Sequence, residues 1–63
     1  MTEQEFRAML QGVTKSYPAF VNGVTALAKG HGIVDEVIHF IEENPDATAG
    51  KVASYSSKLA GVG

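Results

Sequence analysis

The stretch IVDEVIHFIEEN, residues 33–44, decides the fold. At about 100° per residue, Ile33, Val34, Val37, Ile38, Phe40 and Ile41 fall within one arc of roughly 160°. Asp35, Glu36, His39, Glu42 and Glu43 fill the rest of the wheel with no apolar intruder. A helix divided in this way is half buried. A strand is excluded, because the adjacent pairs Val37-Ile38 and Phe40-Ile41 would point to opposite faces at a period of two. The flanks agree: Gly30 and Gly32 precede the segment, Asp35 and Glu36 sit in its first turn where the helix dipole favours anions, and Pro45 follows Asn44. The apolar arc is wider than one buried stripe requires, and Ile33 and Phe40 lie at its edge.

Working outward, Thr2-Glu3-Gln4-Glu5 reads as a capping box that starts a first helix. Its apolar stripe, Phe6, Met9, Leu10, Val13 and Tyr17, runs through Gly12 to an end near Ser16; Gly12 is the alternative stop. Pro18 suits the first turn of a second helix and disfavours the α region for Tyr17. Phe20, Val21, Val24, Leu27 and Ala28 carry that helix to Lys29, and Gly30 fits a left-handed closing position. Asn22-Gly23 is also a hairpin signal, but the strands it would join are only about three residues long. On the other side of the central segment, Asn44 is a candidate N-cap with Pro45 and Asp46 in the first turn of a last helix. That helix presents the small-residue face Ala49, Val52, Ala53, Ser56, Leu59 and Ala60, bordered by Tyr55.

The expectation is therefore an all-α fold, a small bundle of about four short helices over residues 3–16, 18–29, 33–44 and 46–60, in one domain spanning 1–63 with a frayed tail at 61–63. The expected core is Phe6, Met9, Leu10, Val13, Phe20, Val21, Val24, Leu27, Val34, Val37, Ile38, Ile41, Val52 and Leu59.

With 63 residues, the chain is near the size at which a single core supplies about 3–5 kcal/mol net. There is no cysteine, which removes disulfides and thiolate metal sites. A net charge of -2 and five Lys and Arg residues spread singly along the chain provide no broad attraction to phosphate. No apolar run approaches the roughly 18 residues of a membrane span, and the first residues are acidic rather than basic. A cytoplasmic protein without a membrane partner is expected.

Motif by motif, the chemistry thins out. Gly50-Lys51 lacks the phosphate-loop pattern, with Pro45 where a Gly is needed and Val52 where a hydroxyl is needed. His31, Asp35 and His39 are spaced four and four, which would align metal ligands on one unbroken helix, yet His31 stands between two glycines. Asp35, Glu36, Glu42, Glu43 and Asp46 make an acidic surface that reads as a solvated face, or as a docking strip for a basic partner. Ser54, Ser56 and Ser57 have no base or orienting acid at a suitable spacing and read as helix-surface residues.

The stretch VDEVIHFIEENPDATAGKVASYSS resembles the opening of prokaryotic winged-helix and helix-turn-helix domains, where a helix ending in ENPDAT leads into one carrying a Val-Ala pair such as Val52-Ala53. That resemblance implies a turn and a basic recognition helix immediately C-terminal to it, with Lys51 and Lys58 as the available cations. In this chain only the segment from Lys58 to Gly63 occupies that place.

The expected role is a small helical protein-interaction or regulatory module, acting as a homodimer or by binding another protein through Ile33, Phe40 and Tyr55. The alternative is a helix-turn-helix-like DNA-binding accessory protein contacting nucleic acid through Lys51 and Lys58. No enzymatic activity, cofactor, metal or small-molecule substrate is expected.

Overall fold

The Thr2 hydroxyl accepts a hydrogen bond from the Glu5 amide at 3.2 Å and so starts α1 (Glu3–Gln11). The computed structural model describes residues 2–61, and among them are four α-helices and no strand. They form a small helical bundle: α1 is followed by α2 (Pro18–His31), α3 (Val34–Glu43) and α4 (Ala49–Ala60).

α1 ends at Gln11, short of residue 16, with the Gly12 amide donating to the carbonyls of Ala8 and Met9. Val13 continues the apolar stripe and is buried, but it does so from a non-helical segment. Lys15 turns the chain in the left-handed region, at φ 60°. The reason for the early exit is tertiary. Thr14 pairs in an isolated parallel bridge with Thr48, its carbonyl accepting the Ala49 amide at 3.0 Å.

α2 starts at Pro18 after an extended Tyr17 and passes straight through Asn22-Gly23, so the hairpin signal is overridden. It also runs through Gly30. The left-handed residue that closes it is Gly32, at φ 66°. Ile33 N–H donates to the Ala28 carbonyl at 3.0 Å and Gly32 N–H to that of Lys29 at 3.4 Å, the paired bonds of a Schellman ending.

The corner after α3 differs from the expected one. Asn44 closes α3 instead of opening α4: its amide and its side-chain Nδ2 both donate to the Phe40 carbonyl, at 3.0 and 2.9 Å. Pro45 and Asp46 form a turn held by Ala47 N–H to the Asn44 carbonyl at 2.9 Å. Thr48 is the true N-cap, accepting from the Lys51 amide at 3.3 Å. Gly61 ends α4 at φ 76°; Val62 and Gly63, the rest of the expected frayed tail, lie outside the described residues.

Both α2 and α3 touch all three other helices, while α1 and α4 share no helix-to-helix contact. The molecule measures 24 × 23 × 22 Å, so no helix projects from the rest. Phe6, Leu10, Val13, Phe20, Val21, Val24, Val37, Ile38 and Val52 form the core as expected. Met9, Val34 and Ile41 are partly buried against it. Two expected core residues are displaced: Leu27 is only half-buried, and Leu59 is 39% exposed because it lies in the last turn of α4. Small residues replace them, with Ala28, Ala47 and Ala49 all buried.

One ion pair ties α1 to α2, Lys29 Nζ to Glu3 Oε1, and Arg7 donates to Asn22 Oδ1 beside it. The hydrogen bond from Lys29, followed by its charge, holds the Glu3 carboxyl below its ordinary range, and Arg7 contributes more weakly. A carboxyl with a lowered folded-state pKa stabilises the fold above its ordinary value, about 4.3, and that contribution disappears as pH falls through the lowered value. Thermal melts taken downward from neutral pH are therefore expected to show a drop in Tm in the acid limb that is smaller in Lys29→Met. An unchanged limb would show that the pair adds nothing, the usual outcome for exposed pairs at high salt.

Candidate functional site

The wide apolar arc of α3 is resolved at the seam between α3 and α4. Phe40 and Tyr55 stack there with ring centroids 4.1 Å apart and planes 14° from parallel. Neither ring is fully buried, so the stack is a half-covered apolar strip at the surface. Its continuation on α3 is Ile33, one N-cap position before the helix and seven residues before Phe40. On α4 it continues to the exposed Leu59.

Phe40 meets Tyr55, and Glu43 borders the same open cleft as Lys51. Lys51 and Lys58 are exposed on α4, and neither makes an ion pair among the described residues. The cleft beside Lys51 also carries Glu43 and Asp46, so the local charge is mixed.

The remaining candidates do not converge. His31 is in the last turn of α2, on the far side of Gly32 from α3, so the spacing to Asp35 and His39 crosses a helix break. His39 Nε2 pairs instead with Glu43 Oε1 at 3.3 Å, both side chains well exposed. Among the described residues, no group of three or more His, Asp or Glu side chains is placed to hold a metal ion. Asp35, Glu36, Glu42, Glu43 and Asp46 are all exposed. Of the three serines, Ser56 departs from the surface reading: it is fully buried and donates to the Val52 carbonyl at 2.8 Å. Thr25, the other buried polar residue, donates in the same way to Val21 at 2.6 Å. Both bonds stay within their own helix, and no buried side-chain polar atom among the described residues lacks a partner.

A second surface feature has no signal in the sequence. An open apolar cleft of about 340 Å³ lies between α2 and α4, walled by Tyr17, Phe20, Gly23, Leu27 and Ala53. Tyr17 is 53% exposed and tilts against Phe20 with centroids 5.9 Å apart. No helix among the described residues is long and apolar enough to cross a membrane.

Fold and surface together define a small four-helix bundle with apolar strips at helix seams. No protein-family model, curated protein or solved structure matches the chain.

Proposed function

We propose that this chain is a small, non-catalytic, cytoplasmic protein-interaction or regulatory module that binds through the α3–α4 seam. The observation that carries the reading is the Phe40–Tyr55 stack, an aromatic pair at a helix seam that the core leaves half uncovered. Aromatic side chains supply large contact area at small entropic cost, and they are enriched where interfaces concentrate their energy. A chain this small also gains proportionately from covering such a strip.

A photo-crosslinking side chain at Tyr55 is expected to capture one discrete protein, or a second copy, in the source cell. The same side chain at Gln11, exposed on a helix that does not touch α4, is expected to capture none. Equal capture at both positions, or none at Tyr55, overturns the reading.

For the DNA-binding alternative, the favourable feature is the exposed pair Lys51 and Lys58; against it stand the carboxylates of Glu43 and Asp46 beside Lys51. Titrating ¹⁵N-labelled protein with duplex DNA at low salt is expected to leave the α4 amide signals in place. Shifts centred on Lys51 and Lys58 that vanish as salt is raised would reinstate it.

A further inference from the structure

Arg7 stands apart from the other cations of the chain. Of the five Lys and Arg residues it alone is half-buried, while Lys15, Lys29, Lys51 and Lys58 are exposed. Its Nη2 donates to Asn22 Oδ1, a bond from α1 across to α2, and no carboxylate of the described residues lies within ion-pair distance of it. A guanidinium carries five N–H donors, and the Asn22 bond uses one of them. Arg7 lines an open cleft of about 290 Å³ with Gln11, Tyr17, Pro18, Val21 and Asn22. Among the described residues it is the one charged side chain in that wall. The Ser16 hydroxyl, in the same wall, already donates to the Gln11 carbonyl at 2.8 Å. The cleft thus combines a cation that no carboxylate of the described residues pairs with and an apolar wall made by Tyr17, Pro18 and Val21.

We infer that this cleft binds a small monocarboxylic acid with an apolar body, its carboxylate on Arg7 and its body against Tyr17, Pro18 and Val21. The site is built from α1, α2 and their connection, so it stands whether or not the α3–α4 seam binds a protein. A planar guanidinium and a carboxylate match as a two-point fork, and their attraction is stronger where burial keeps water partly away. The net charge of -2 provides no general attraction for anions, so recognition is local to the cleft. A phosphate fits less well, because no second cation lines the wall. Lys29 borders a second cleft with Glu3, Arg7 and Asn22, and there it is already paired with Glu3. At about 290 Å³ the cleft lies at the lower end of ligand pockets, which suits a ligand the size of one amino-acid residue.

N-acetyl-leucine, titrated into ¹⁵N-labelled protein at constant ionic strength, tests the inference. Amide shifts are expected at Gln11, Tyr17, Val21 and Asn22, with a Kd on the order of millimolar for so small a ligand in an open cleft. N-acetyl-leucinamide, which lacks the carboxylate, and acetate, which lacks the apolar body, are each expected to bind at least about tenfold more weakly. Asn22→Asp supplies Arg7 with a carboxylate from within the chain, at an exposed position of α2. It is expected to weaken binding at least about tenfold while keeping wild-type helical content. Arg7→Gln is expected to do the same by removing the guanidinium. Shifts that are absent or scattered over the surface, an amide that binds as well as the acid, or undiminished binding by either variant overturns the inference. A peptide ending in the same leucine is expected to bind no more tightly than the acetylated amino acid, because the cleft holds about one residue. Tighter binding of the peptide would assign the cleft to a chain end and overturn the free acid.

Discussion

Phe6→Ala is expected to leave the chain largely unfolded at room temperature. Phe6 is 1% exposed and is among the largest fully buried side chains. It is also the aromatic that α1 contributes to the core, alongside Leu10. Truncating a buried Phe typically costs about 3–5 kcal/mol, and a core of this size supplies about the same amount net. Far-UV circular dichroism and urea melts check this directly. Leu59→Ala, at a position exposed to 39%, is the matched control and is expected to shift stability by less than about 0.5 kcal/mol in dilute protein. A Phe6→Ala variant that melts with wild type would mean that α1 lies outside the cooperative unit.

Ser56→Leu is expected to destabilise by about 1–3 kcal/mol, and Ser56→Ala to be nearly neutral. Ser56 is fully buried on α4, the helix with the most extensive contact to α2. Its hydroxyl satisfies itself on the Val52 carbonyl of its own helix, so what the site requires is small volume and not a polar partner. Alanine keeps that volume and removes a local bond that adds little to a helix. Leucine is expected to overpack a fully buried site on α4. Urea denaturation separates the outcomes; a stable Leu variant would show that the helices have room to spare.

The contrast between Phe6 and Ser56 marks what periodicity can reveal. Large side chains at three-and-four spacing, such as Phe6, Leu10, Val37 and Val52, are legible as core, and with them the four-helix class. Ser56 falls on the small-residue face of the last helix, but its hydroxyl makes a surface role look natural. Leu59 shares that face and is exposed, because a wheel records direction and not whether another element reaches that far along the helix. Val13 is core without being helical, since an apolar stripe reports burial and continues past the end of a helix. At the corner the sequence reading puts the cap at Asn44, whereas Thr48 takes that role in a segment that Thr14 pairs with, a contact between distant loops that no local pattern encodes. Gly30 and Gly32 pose the same ambiguity, resolved by the bond from Ile33 to Ala28. At the candidate site, Ile33 and Phe40 are each readable as edge residues of the central arc, and Tyr55 as the border of the last helix's face. The stacking of the two rings depends on how α3 and α4 pack against each other, which no local pattern encodes.

The bridge between Thr14 and Thr48 makes the α1–α2 connection a working part of a helix far along the chain. Ala49 N–H is one of the first-turn amides that α4 cannot satisfy internally, and the Thr14 carbonyl takes it. A segment that looks like a free linker, and would be a natural place to insert a tag or cut the chain for permutation, is therefore closed to both. Material added at Thr14 or Lys15 would unseat the start of α4. The exposed turn at Pro45 and Asp46 is a poor alternative, since it positions Thr48 from the other side. For labelling, an exposed mid-helix position such as Ala26 on α2 is the place to modify one side chain without touching either connection.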